Sequence, residues 1–415
     1  MRLFPALFAF AVSLALAACG TSSPTSSTGG SSKVGHVFII VLENKSYAKT
    51  FPATGTPPAP YLAKNLPAMG AMLTQYHGTG HLSLDNYITM VGGQAPNLQT
   101  STDCIIYTDW VGTTTPDGNG QVTGTGCVYP FAVKTIANQL QDKGLSWKGY
   151  MEDMGNDLAR DGRATCAHPD LNTQDKTQSA SATDLYAARH NPFMYYHSII
   201  DDQANCDAHV VPLTALSADL ASIATTPNYV FITPNLCNDG HDTDCVNGKP
   251  GGYESINDFL KEWVPKITKS AAFKKDGLLI VTFDESEFPG EGSEDSAACC
   301  NEPAGPNFIG GIGQTVGNLL LQIPVVGGPL ATLVNTLGLG TLSNVPLAGP
   351  GLVGPGGGRI GAVLVSPFIK PGTVSDVPYN HYSMLRSIED IFEVAHLGYA
   401  AQPGLVPFGD DIFNQ

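Results

Sequence analysis

Four stretches of this chain are apolar without interruption, and three of them run straight into acidic or amide side chains. They are HVFIIVLE (36–43), NYVFITP (228–234), LLIVTFDE (278–285) and IGAVLVSP (360–367). A strand with one face in water alternates polar and apolar residues, whereas a strand covered on both faces does not. These runs are therefore predicted as interior strands of a parallel sheet. LSWKGYME (145–152) is a weaker fifth, ending in Glu152. Helical patterns lie between them, at 130–144, 255–270 and 381–398. Strands alternating with helices predict an α/β fold: a single large domain whose mostly parallel central sheet is flanked by helices.

In such sheets ligands sit beyond the carboxyl ends of the strands. Here the first run ends in Glu43 and Asn44, and NYVFITP leads into Asn235, Asp239, His241 and Asp242. LLIVTF ends in Asp284 and Glu285, and the loop after IGAVLVSP delivers His381 at a helix start. Each has an ordinary reading as a solvated loop residue. Brought to one sheet edge, however, the carboxylates would repel one another and hold on to protons unless cations neutralised them. Asp, Glu and His together suit one or two divalent ions, of Mg²⁺, Mn²⁺, Ca²⁺ or Zn²⁺.

Net charge and the ends of the chain narrow the partners. The formal charge is −16, which argues against nucleic acid and leaves an anionic substrate dependent on local positive charge. Arg2 precedes LFPALFAFAVSLALAA, a run short for a membrane span and closing on small residues, as an export signal does. LAAC (16–19) followed by Gly20 resembles the bacterial lipobox, which implies that Cys19 becomes the lipidated first residue of an exported, membrane-anchored protein. A Ser/Thr/Gly tether (20–34) would separate the anchor from the domain at 35–415. Setting Cys19 aside leaves an even number of cysteines, which in an exported chain favours disulfides. Sequence neighbours suggest Cys104–Cys127, Cys166–Cys206 and Cys237–Cys245, although eight cysteines allow 105 pairings. From 286 to 358 the chain is rich in Gly, Pro and Leu; this reads as an insertion over the sheet's carboxyl edge, either a structural loop or an apolar, lipid-facing surface.

TGHLSLDNYITMVGG (79–93) places Ser83 where a Gly-rich loop enters an apolar helix. Serine caps helices without doing chemistry, so the stretch alone leaves cap and nucleophile open. Six segments in order, HVFIIVLENKSY, TGHLSLDNYITMVGG, RHNPFMYYHSI, FITPNLCNDGHD, VTFDE and SPFIKPGTVSDVPYNHYSMLRSIED, resemble the phosphoesterase family of bacterial acid phosphatases and phospholipases C, within the alkaline phosphatase superfamily. The resemblance implies an alkaline phosphatase-like core, with Ser83 as nucleophile and Asn86 on a phosphoryl oxygen. It implies a first metal at Glu43, Asp284 and Glu285 with Asn44 beside it. A second would lie at Asp239, His241 or Asp242, and His381. His81, Arg189 and His190 are weaker candidates for the substrate pocket. Asp284-Glu285 stands where the superfamily usually has Asp-His, which favours harder ions there and leaves the metal count at one or two. ENKS continues as Tyr47-Ala48-Lys49 rather than the phospholipase Phe-Asp-His, which favours the acid phosphatase branch. The implied reaction is hydrolysis of small phosphate esters, monoesters first, through a phosphoseryl intermediate. The rivals are a phospholipase C acting on lipid diesters and a surface protein that binds without cleaving.

Overall fold

The computed structural model describes residues 33–287, 295–307 and 355–415. Its centre is an eight-stranded sheet. In chain order the strands are β1 (His36–Leu42), β2 (Ala71–Leu73), β3 (Trp147–Met151), β4 (Val210–Pro212), β5 (Tyr229–Thr233), β6 (Gly277–Phe283), β7 (Ala362–Val365) and β8 (Thr373–Ser375). Across the sheet they run β8-β2-β7-β6-β1-β5-β3-β4. β1 pairs in parallel with β5 and β6, and all of its residues are buried. Cover on both faces is why its sequence shows no alternation. All five runs read as strands are strands, while the three-residue strands β2, β4 and β8 are too short to leave a pattern.

β7 is a correction. Predicted parallel, it runs antiparallel to β6 and to β2. An uninterrupted apolar run reports burial on two faces, and Val363 and Leu364 are fully buried; it carries no information about direction, which the connection sets. The reversal matters for the site. The start of β7, not its end, lies at the carboxyl edge of β6, where Ser286 N donates to Gly357 O (2.9 Å) and Gly78 N to Gly358 O (3.0 Å). β8 then carries the chain back to that edge.

Four helices position the site or cover the sheet. α1 (Ser83–Gly92) is buried throughout and ends on Gly93 at φ 64, the left-handed stop that glycine permits. α2 (Ile136–Asp142) starts on a Thr135–Asn138 capping box. α3 (Gly252–Lys269) buries Ile256, Phe259, Leu260, Trp263, Val264 and Ile267, the spacing of one helical face. α4 (His381–Ile391) starts where Asn380 accepts from Ser383 N at 3.0 Å, and packs on α1. It stops seven residues short of the predicted 398, because Glu393 turns left-handed at φ 50. Cys104–Cys127, Cys166–Cys206 and Cys237–Cys245 are bonded, as is the vicinal Cys299–Cys300. The expected signal, Cys19 and nearly all of the tether lie outside the described residues, as do 288–294 and 308–354 of the expected insertion. Among the described residues no helix is long and apolar enough to cross a membrane.

Candidate active site

Register brings the strand ends together. Leu42 pairs with Phe283, so Glu43 and Asp284 emerge side by side; Asp284 N donates to Leu42 O (2.9 Å) and Glu43 N to Asp239 O (2.9 Å). Ser83 stands over them as the first residue of α1. Its Oγ donates to Glu43 Oε2 at 2.8 Å, and one turn further along Tyr87 Oη donates to Glu43 Oε1 at 2.7 Å. The residue before Ser83, Leu82, holds φ 71 and ψ 144, a conformation glycine adopts easily and leucine at a cost of order 1–3 kcal/mol. The loop is over-determined by Asn86. Its Oδ1 accepts from Thr79 N (2.8 Å) and Gly80 N (3.1 Å), and its Nδ2 donates to Gly80 O (3.0 Å) and Leu82 O (3.2 Å). Both ends of the Asn86 amide thus hold the turn that presents Ser83.

The charges beneath Ser83 are unusually uncompensated. Glu43, His190 and Asp239 each offer a ligand atom within 4.8 Å of the others, and all three are buried. His190 Nδ1 approaches Asp239 Oδ2 at 3.2 Å and Nε2 approaches Glu43 Oε1 at 3.4 Å. Neither approach has hydrogen-bond geometry, so both ring nitrogens and Asp239 Oδ2 lack a partner. Asp284 Oδ1 accepts from Asn44 N (3.1 Å) and Glu285 N (2.6 Å), while its Oδ2 is likewise buried and unpartnered. Burial, reinforced by Asp284 and Asp239, pushes the Glu43 carboxyl far up. Burial also raises Asp239 strongly and Asp284 to about 6. His190 is driven well below its ordinary value by burial and then by Arg189, so its imidazole is neutral. Three carboxylates that resist ionising, a neutral imidazole and orphaned oxygens are the donor set of a divalent cation. The residues fit such an ion.

Other expected residues fall around this core. His381 is buried with both nitrogens engaged: Nε2 donates to Asp284 O at 2.6 Å and Nδ1 accepts from Tyr76 Oη at 3.1 Å. Burial lowers it to about 4, and it stands behind Asp284 rather than beside Asp239. Glu285 pairs with His81, which burial also lowers to about 4; His81 Nε2 lies 3.1 Å from Ser296 Oγ. His241 N donates to Asp239 Oδ1 (2.7 Å), and its ring links Arg189 Nη2 (3.3 Å) to Asp242 Oδ1 (2.8 Å). Above Ser83 a cavity of about 260 Å³ is lined by Asn44, Lys45, Asp103, Arg189, His241 and Glu285, among others.

The model of the phosphoesterase family matches residues 58–395. The chain belongs to the phosphoesterase family. The chain is similar to a phosphate-repressible acid phosphatase of Penicillium chrysogenum (27% identical over 218 residues, 52% of this chain and 42% of that protein) and to an acid phosphatase of Aspergillus fumigatus (24% over 222 residues, 54% and 40%). A phosphatidylinositol-3-phosphatase of Mycobacterium tuberculosis is 25% identical over 258 residues, 61% of this chain and 64% of that protein. The chain spans less than half the length of the two fungal enzymes it matches. Among solved structures, a protein of the alkaline phosphatase superfamily from Vibrio parahaemolyticus is 12% identical, with a TM-score of 0.42 over 88% of this chain and 67% of that one.

Within this phosphoesterase, the structure adds residues that sequence reasoning missed or misplaced. His190, read as a pocket residue, sits with Glu43 and Asp239 instead. It stacks on Tyr87, with ring centroids 5.2 Å apart and planes 7° from parallel. Tyr87 had a signal, since it lies four residues after Ser83 and so on the same helix face. Asp103 had none: it comes from a loop and reaches α1 through Leu84 N (3.0 Å).

Proposed function

We propose that this phosphoesterase is an exported, metal-dependent hydrolase of phosphate esters that acts on monoesters through a phosphorylated Ser83. One observation carries the reading: the Ser83 hydroxyl, 2.8 Å from Glu43, lies between a solvent-reached cavity and a buried, uncompensated set of carboxylates. Ser83 Oγ attacks phosphorus, with its proton directed at Glu43 Oε2. The P–O bond to the alcohol breaks and the alcohol leaves with a proton. Water then attacks the phosphorus of phosphoserine, which releases inorganic phosphate and restores Ser83. The N-terminus of α1 contributes positive partial charge next to the phosphoryl group. Glu43, His190 and Asp239, with Asp284 Oδ2 beside them, would hold a divalent ion, which when bound supplies positive charge to the serine oxygen and the phosphoryl oxygens. Asn86 and Leu82 fix the turn, and His381 orients Asp284 through its carbonyl. The three relatives named above are all phosphatases, which supports monoesters over lipid diesters; export rests on the N-terminal sequence.

The test compares the metal-loaded mature domain with its Ser83→Ala variant on p-nitrophenyl phosphate and p-nitrophenyl phosphorylcholine. The wild type is expected to prefer the monoester, and the variant to lose at least ~10³-fold in turnover, as loss of a nucleophile does, while keeping its metal by mass spectrometry. Turnover that survives Ser83→Ala overturns the mechanism, and preference for the choline diester moves the reading to a phospholipase C.

A further inference from the structure

Among the described residues that line the cavity over Ser83, Leu82 and Ile105 are the two with aliphatic side chains; the others are polar or charged. Both are half-buried. Neither joins the hydrophobic clusters that the described residues form. Aliphatic surface that lines a cavity and packs into no core is stabilised when an apolar group enters and displaces water from it.

Leu82 occupies a backbone that glycine would adopt without strain, φ 71, and Asn86 Nδ2 holds it there through the Leu82 carbonyl (3.2 Å). A leucine kept in such a conformation beside a reactive serine points to a role for its side chain. Ile105 is fixed from both sides. It follows Cys104, which is bonded to Cys127, and its carbonyl accepts from Asp175 N at 2.9 Å. The polar neighbours of these two side chains have their donors committed. Gln178 Nε2 donates to Asp103 O and Asp175 Oδ2, both at 2.8 Å, and Thr102 Oγ1 donates to Leu98 O at 2.9 Å. This part of the wall therefore offers aliphatic contact and few free donors to a sugar or polyol.

We propose that Leu82 and Ile105 receive the departing alcohol, so that the preferred substrates are monoesters of small apolar or aromatic alcohols rather than of polyols or sugars. This rests on the reading of the site as a phosphate monoester hydrolase. The cavity, about 260 Å³, is smaller than the ~300–1,000 Å³ typical of sites for drug-sized ligands, which keeps the alcohol small. The bonds made and broken are those of the reaction above. Leu82 and Ile105 take no part in them and act as specificity-determining residues, through contact with the group that leaves.

The experiment measures kcat/KM on benzyl phosphate and glycerol 1-phosphate, two primary-alcohol monoesters that differ in the polarity of the leaving group. It uses metal-loaded wild type, Leu82→Gly, Ile105→Thr and the double variant, with circular dichroism to check each fold. The readout is the ratio between the two esters, because a displaced Ser83 slows both and cancels. The wild type is expected to prefer benzyl phosphate, and the ratio to fall at least ~tenfold in the double variant, as lost apolar contacts in a pocket do. Benzylphosphonate, which lacks the ester oxygen and is not cleaved, should lose its advantage over methylphosphonate as an inhibitor by a similar factor. Leu82→Gly keeps the turn and removes only the side chain, so it should lower the ratio by itself. A ratio unchanged in the double variant overturns the proposal; if the double variant does not fold, an unchanged ratio in both single variants overturns it equally. A wild type that cleaves both esters and prefers glycerol 1-phosphate overturns this inference alone, whereas one that cleaves neither overturns the monoesterase reading with it.

Discussion

Tyr87→Phe removes one hydroxyl and leaves the ring that stacks on His190. That hydroxyl donates to Glu43 Oε1 at 2.7 Å, with both residues fully buried. A hydrogen bond to a charged acceptor of this kind contributes about 1.5–3 kcal/mol. The effect should appear in metal binding, because the bond favours the ionised Glu43 that a cation needs. In the free protein, burial and the neighbouring Asp284 and Asp239 push the Glu43 carboxyl up, and the bond from Tyr87 works against them. At about 1.4 kcal/mol per decade, a loss of ~2 kcal/mol is a metal dissociation constant raised ~30-fold, within the 10–100-fold that groups supporting metal ligands typically contribute. Mn²⁺ titrated against a chromophoric chelator reads the constant. Thermal unfolding with and without Mn²⁺ reads the same coupling, as a smaller metal-induced rise in Tm for the variant. If Tyr87→Phe binds Mn²⁺ as tightly as the wild type, Glu43 is not a ligand, and the site must be rebuilt around Asp284.

Two further expectations concern stability. Burial pushes Glu152 up to about 7 from an ordinary 4.5 despite hydrogen bonds from Asn235 N and Asn238; the folded protein therefore binds that proton more tightly, and the contribution is present below about pH 4.5 and lost as pH rises through 7. Up to ~3 kcal/mol is at stake, so urea midpoints of the wild type should fall more steeply than those of Glu152→Gln between pH 5 and 8, and parallel profiles would contradict it. Cys104 and Cys127 close a loop of 23 residues, worth about 3 kcal/mol in chain entropy; replacing both with alanine should lower the urea midpoint accordingly. A midpoint equal to that of the wild type would contradict it.

Much of the fold was legible because burial on two faces writes itself into composition. β1, β5, β6 and β7 were readable as uninterrupted apolar runs and β3 as a weaker one, and Glu43, Asp239 and Asp284 were readable as the polar residues that end or follow such runs. β2 and β8 were not, since three residues cannot establish a period. Helix ends were set by single backbone conformations, such as Glu393 at φ 50, that the apolar pattern does not announce.

The sequence by itself determined that a parallel α/β core would gather acidic side chains at one edge and that Ser83 would begin a helix there, because local periodicity and strand ends are properties of short segments. Which side chains meet was decided only in three dimensions. β7 runs backwards, His190 rather than His381 joins Glu43 and Asp239, and Asn86 closes on its own loop. Asp103 reaches from a disulfide-pinned turn to Leu84 N and Arg189. Those outcomes depend on strand direction, register and loop closure. Each is a relation between residues far apart in the chain, and no short segment carries its trace.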